Sequence, residues 1–165
     1  MYERILVPVD SSPTSNRGLQ EAVKLARLTG AKLRLIHVID AVPHVSGLNG
    51  FVGYSVDLFQ RLNEGGQNIL ADAKARAQAA GLEAETVIFD DFTCRLCEHV
   101  VDEATTWHAD LIVLGTHGRR GFRRFVLGSD AEQIVRSAPV PVLLVRGDET
   151  DAPPAAAAGS ATPNR

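Results

Sequence analysis

The sequence predicts a single α/β domain: an open parallel sheet with helices on both faces. Two observations predict it. Short, almost continuous runs of Val, Ile and Leu recur along the chain, which suits strands covered on both faces rather than one. Stretches with helical spacing separate them, and strict alternation with short connections builds a parallel sheet.

The elements follow in order. Ile5 to Val9 is the first strand. A helix follows, with Ser12 as cap, Pro13 as first helical residue, Leu19, Ala22, Val23 and Ala26 on one face, and Gly30 just past its end. Lys32 to Ile39 is the second strand. The second helix runs from about Val56 to Ala80, with Phe59, Leu62, Ile69, Ala73 and Ala77 inward and Gly81 closing it. Glu85 to Phe89 is the third strand, and the third helix starts near Thr93 and uses Cys97, Val100, Val101 and Ala104. Leu111 to Leu114 is the fourth strand. The fourth helix starts near Ser129, uses Ala131, Ile134 and Val135, and stops before Pro139. Val140 to Val145 is the last strand. No internal repeat is visible.

The chain has 165 residues, 45% of them hydrophobic and 22% charged, a globular rather than a disordered balance. Seventeen Lys and Arg against twenty Asp and Glu give a net charge of −3, which argues against non-specific nucleic-acid binding. The longest apolar run, Ala138 to Val145, falls far short of the ~20 residues a membrane span needs. Met1-Tyr2-Glu3-Arg4 introduces only a brief apolar run, so no export signal is expected. Two cysteines build no disulfide framework, and the expected location is the cytoplasm. Residues 1–147 form the expected domain. Residues 148–165, rich in Ala and Pro and without a large apolar side chain, are expected to be a disordered tail.

In open parallel sheets a ligand sits at the carboxyl ends of the strands. Attention therefore falls on Asp10, Asp40, Asp90, Asp91 and the residues after Leu114. The segment from Asp40 to Ser55, with Gly47, Gly50 and Gly53, has no period and is long for a connection, as functional loops often are. The most informative stretch runs from Leu114 to Ser129, from a strand end to a helix start. Gly115 and Gly118 allow close backbone approach to a ligand. Gly128 and Ser129 stand at a helix N-terminus, where unpaired N–H groups and the dipole favour phosphate. Arg119, Arg120, Arg123 and Arg124 add positive charge. The loop reads as an anion cradle, against the plainer alternative of a solvated surface loop. It is neither a Walker A loop, lacking Gly-Lys-Ser/Thr, nor a dinucleotide fingerprint, since its spacing is Gly-x-x-Gly.

With the opening strand ending at Asp10 and the spacing Gly115-x2-Gly118-x9-Gly128-Ser129, the sequence resembles the universal stress protein family in its ATP-binding branch. The resemblance spans Tyr2 to Val145. It implies an adenine-nucleotide alpha-hydrolase-like fold with strand order 3-2-1-4-5. It also implies a nucleotide site: Val9 and Asp10, with Pro8 beside them, at adenosine; Val38 at adenine through its backbone; and Gly115, Gly118, Gly128 and Ser129, flanked by Leu114, at ribose and phosphate. His117 and Arg119 occupy variable positions of the same motif. ATP is the implied ligand, Mg2+ an accompanying ion that Asp10 meets through water, and a homodimer through Val140 to Val145 the implied assembly. One departure is Asp130, where a neutral residue is more usual. A carboxylate there suits the helix dipole but repels a terminal phosphate unless turned away or bridged by metal.

Other features have competing readings. Asp10 also suits a turn or capping role toward Ser11-Ser12-Pro13. Cys94 and Cys97 form a CxxC at a helix start, which gives a redox module as an alternative function, while the spacing of Cys97 with Val101 and Ala104 points to the core. Zinc would need two further ligands, with only His99 and His108 nearby. His37 reads as a packed core histidine; His44 lies in the long loop, and no hydrolytic triad is spaced. The arginines could meet RNA, but only Phe122 and Phe125 accompany them as stacking aromatics. A further alternative is a dimeric interaction protein whose pocket is vacant or takes a ligand other than ATP. No catalytic residue is assigned: with no P-loop lysine or general base, ATP hydrolysis or phosphate transfer to Ser129 should be slow at most.

Overall fold

The computed structural model describes residues 1–39, 56–90, 95–116 and 127–147, with residues 56–58 described by their backbone alone. The strands are β1 (Arg4–Pro8), β2 (Lys32–Val38), β3 (Ala84–Phe89), β4 (Leu111–Gly115) and β5 (Val142–Val145). The helices are α1 (Pro13–Thr29), α2 (Val56–Ala79), α3 (Leu96–Thr106) and α4 (Ser129–Ser137). All pairings are parallel, in the order β3-β2-β1-β4-β5. The expected tail and the long loop after Ile39 lie outside the described residues.

Strand alternation divides the core into two layers. Ile5, Val7, Leu33, Leu35, Leu111 and Val113 face α1 and α2, where Leu19, Ala22, Ala26, Leu70, Ala73 and Ala77 meet them. Leu6, Ile36, Ile112 and Leu114 face the other way, onto Val100, Ala104, Trp107, Ala131 and Ile134. Burial on both faces explains why the strands read as continuous apolar runs.

Local chemistry sets the helix ends. Ser12 Oγ accepts the Ser15 N–H at 3.2 Å, Pro13 opens α1, and Gly30, at φ 75°, donates its N–H to Ala26. α3 begins at Leu96 rather than near Thr93, because the Arg95 N–H is taken by the Glu98 carboxylate at 3.0 Å, which closes the first turn there. Two further expectations are corrected. Val135 is 43% exposed, because Ala131 and Ile134 already fill the buried stripe of a nine-residue helix. β5 starts at Val142, with Pro141 contributing only its carbonyl, which accepts the Ile112 N–H.

At the amino edge, Asp110 accepts from the Glu3 and Arg4 N–H groups and fastens the chain start to β4. Arg34 gathers three elements: its guanidinium carbon sits 4.6 Å from the Trp107 ring centroid and pairs with Glu85 and Glu103. Burial works to lower its pKa, but the two carboxylates outweigh that and raise it. These contacts lie away from the carboxyl ends of the strands.

Candidate functional site

The carboxyl ends of β1, β2 and β4 lie side by side, and α1 and α4 both begin there. The side chains of Val9 and Leu114 belong to the core, at 6% and 5% exposure, so these residues offer the site backbone groups only. Pro8 ends β1 and is half-buried.

Asp10 is half-buried and holds a tight turn. Its Oδ1 accepts the Ser12 N–H at 2.9 Å, and its own N–H donates to Ser15 Oγ at 3.1 Å. Ser11 between them takes φ 64°, a left-handed conformation that non-glycine residues rarely adopt. The turn role is therefore observed, and it ties the Asp10 carboxylate to the start of α1. Ser15, buried and bonded to Asp10, is a positioning residue the sequence reading missed; the signal available was a second serine three positions after the cap.

The last rung between β1 and β2 is Val9 N–H to Ile36 C=O at 2.8 Å, while Ile39 N–H reaches Phe89 C=O at 2.9 Å. Alternate residues of a central strand serve opposite neighbours, so Val38 directs its N–H and C=O toward β1. Among the described residues no hydrogen bond joins Val38 to β1. The Val9 carbonyl, which the next rung would use, instead accepts from His37 Nδ1 at 2.7 Å. His37 is buried, as expected, and its Nδ1 carries the proton because a carbonyl only accepts.

β4 ends against α1. A Cβ on Gly115 would lie 2.6 Å from the Thr14 carbonyl carbon and 2.9 Å from Ser15 N, and one on Gly18 would lie 3.2 Å from Gly115 N. The missing side chain of Gly115 thus admits the helix, a packing role the sequence reading did not give it. Thr116, buried, donates its N–H to Val145 and accepts the Gly128 N–H at 2.9 Å, so the two ends of the segment 117–127 are clasped. Thr116 was not singled out in the sequence. Gly128 is the N-cap of α4, with φ −59° and ψ 145° and no side-chain cap. Ser129 and Asp130 are exposed. Two acids, Asp130 and Glu132, occupy this first turn.

His117, Gly118, Arg119 and the rest of the arginine cluster lie outside the described residues, as do Asp40, His44, Asp91 and Cys94. Asp90, after β3, is exposed. Cys97 is buried and its thiol donates to Gln133 Oε1 at 3.1 Å, a packing contact between α3 and α4. His99 is buried and stacked on Phe89, with ring centroids 4.5 Å apart. Among the described residues no three His, Cys, Asp or Glu gather as metal ligands, and no helix is long and apolar enough to cross a membrane.

Comparison with known proteins agrees with this fold. The family model for the universal stress protein family matches residues 1–146. A universal stress protein of Methanocaldococcus jannaschii is 32% identical over 146 residues, covering 88% of this chain and 83% of its own length. A universal stress protein of Archaeoglobus fulgidus, solved in complex with dAMP, superposes with a TM-score of 0.62 at 26% identity, over 87% of this chain and 98% of that one. A further universal stress protein, solved in complex with cAMP, gives 0.63 at 25% identity, over 89% of this chain and 98% of that one.

Proposed function

The chain belongs to the universal stress protein family, and from that premise we propose that it is a nucleotide-occupied stress regulator that binds ATP at the carboxyl edge of β1, β2 and β4. The observation that carries the reading is the start of α4. Gly128 leaves the helix without a side-chain cap, and the Thr116 clasp holds that N-terminus beside the end of β4. N–H groups so placed are the natural partners of a phosphate. α1, on the same edge, has its N-terminus closed by Ser12 and so offers less to an anion. The dAMP and cAMP bound by the two solved relatives share the adenine ring and differ in sugar and phosphate, which supports an adenine nucleotide as the ligand class.

Pro8, Val9, Val38, Leu114 and Gly115 serve this site through backbone, Asp10 through its carboxylate, and Gly128 and Ser129 through N–H groups. His117, Gly118 and Arg119 complete it on the family resemblance. Mg2+ fits as an ion held chiefly by phosphate oxygens and water, its usual ligands, with Asp10 as the protein contact. Hydrolysis is slow at most, because the sequence supplies neither a P-loop lysine nor a conventional general base. Denaturing the purified protein and weighing what it releases should yield an adenine nucleotide, and the stripped protein should bind ATP with a Kd of about 10 μM or tighter, near 7 kcal/mol. No released nucleotide, together with no saturation by ~1 mM ATP, would sink the reading.

We propose also that the chain forms a homodimer through β5. Only β4 pairs with this strand in the described sheet, and Leu143 on it is 37% exposed. An apolar edge strand is a ready template for a second copy. Sedimentation should give a dimer for the wild type and a monomer for Leu143→Lys; a wild type that sediments as a monomer at micromolar concentration refutes it.

A further inference from the structure

We infer that His37 is a positioning residue for base recognition: its Nδ1–H holds the Val9 carbonyl and so leaves the Val38 backbone open to the adenine edge. The inference rests on the adenine-site reading above and deepens it. A parallel ladder with the phase seen here would continue from Val9 N–H···Ile36 C=O to a rung between Val38 N–H and Val9 C=O. That rung is not made among the described residues, and His37 Nδ1 stands 2.7 Å from the carbonyl oxygen that it would use.

The ring is fixed in that position. Its residue is 7% exposed. Gly66 of α2 provides the room, since a Cβ there would fall 2.9 Å from His37 Cδ2 and 3.5 Å from Nε2. The imidazole is thus confined between the strand and the helix with its donor on Val9.

The consequence is chemical selectivity. Val38 presents a donor and an acceptor side by side, the complement of adenine N1 and its exocyclic amino group. Hypoxanthine offers N1–H and a carbonyl oxygen at the same positions, so donor meets donor and acceptor meets acceptor. A site that hydrogen-bonds one base edge rejects the analogue that cannot return the bonds, because buried polar groups are then left unpaired. His37, which does not touch the ligand in this arrangement, controls whether Val38 is available to make that distinction.

Leu and Asn have nearly the same shape, and only Asn retains a donor close to the Nδ1 position. In the nucleotide-free protein, amide exchange at Val38 should be fast in the wild type and His37→Asn and at least tenfold slower in His37→Leu, where the rung can close. The ratio of ATP to ITP affinity should fall about tenfold in His37→Leu and return in His37→Asn, a change that a general loss of stability would not produce. Unchanged Val38 exchange in a folded His37→Leu overturns the inference. Should the variants fail to fold, the wild-type imidazole 15N spectrum decides: a proton on Nδ1 is expected, and its absence refutes the proposal. A wild type that binds no nucleotide removes the adenine reading, while the exchange and tautomer measurements still test what His37 does.

Discussion

Gly115→Ala should cost about 3 kcal/mol of stability, although it adds a single methyl group. That methyl would come within 2.6 Å of the Thr14 carbonyl carbon, 2.7 Å of its oxygen and 2.9 Å of Ser15 N. All three atoms are backbone in the first turn of α1, so no rotamer change relieves the overlap. Nor can the turn swing aside cheaply, because the Ser12 cap and the bond from Asp10 N–H to Ser15 Oγ hold it. α1 must retreat from β4, loosening Leu19 and Ala22 where they meet Val113. Overpacking of a core usually costs 1–3 kcal/mol, and a backbone-on-backbone clash lies at about the top of that range. For a domain of this size ~3 kcal/mol lowers Tm by roughly 10 °C. Gly65→Ala is the matched control: it sits within α2 with nothing within 4 Å of the new methyl, so helix propensity alone should raise stability by about 0.5–1 kcal/mol. Thermal melts of the two variants check the pair, and equal melting temperatures would show that the approach of α1 to β4 is not tight.

That glycine shows where sequence reasoning stopped. Its position in a Gly-x-x-Gly spacing after a strand suggested a ligand approach, and nothing nearby in sequence announces Gly18, which faces it from another element. The architecture was legible because it rests on local periodicity: continuous apolar strands, a Ser-Pro start and a Gly end for α1, and a Gly-Ser start for α4. Helix faces were legible in α1 and less so in α4, where nine residues make only about two and a half turns and Val135 lies next to Ala131 on the wheel. Long-range polar contacts were invisible. Arg34 finds Glu85, Glu103 and Trp107 only because β2, β3 and α3 meet at the amino edge. His37 was legible as buried, but its bond to Val9 depends on strand register. Of the proposed site, the backbone positions came from the family resemblance, whereas Ser15 and Thr116, which hold the ends of β1 and β4 in place, appear only once the elements are assembled.

Gly128→Asp separates stability from binding, with opposite expectations for the two. Gly128 has φ −59° and ψ 145°, a conformation aspartate adopts without strain. Aspartate at an N-cap accepts N–H groups of the first turn and meets the positive end of the dipole, a gain of a few tenths to about 1 kcal/mol over glycine. Asp130 and Glu132 already place negative charge in that turn and offset part of it. Tm should therefore move by no more than about 3 °C, upward if at all. Binding should collapse for the same reasons. The new carboxylate takes the donors that a phosphate would use and sets a like charge near the phosphate, where a unit pair at 4 Å and an effective dielectric of 20 repels by ~4 kcal/mol. Even half of that, added to the lost donors, predicts at least a hundredfold weaker affinity for ATP. Gly128→Ser caps without charge and should lose only about tenfold, while adenosine, which has no phosphate, should bind all three proteins alike. Calorimetric titration of ATP and adenosine against the series reads both effects. If ATP bound Gly128→Asp as tightly as the wild type, the phosphates would lie elsewhere, and the start of α4 would be an ordinary helix end that glycine merely leaves uncapped.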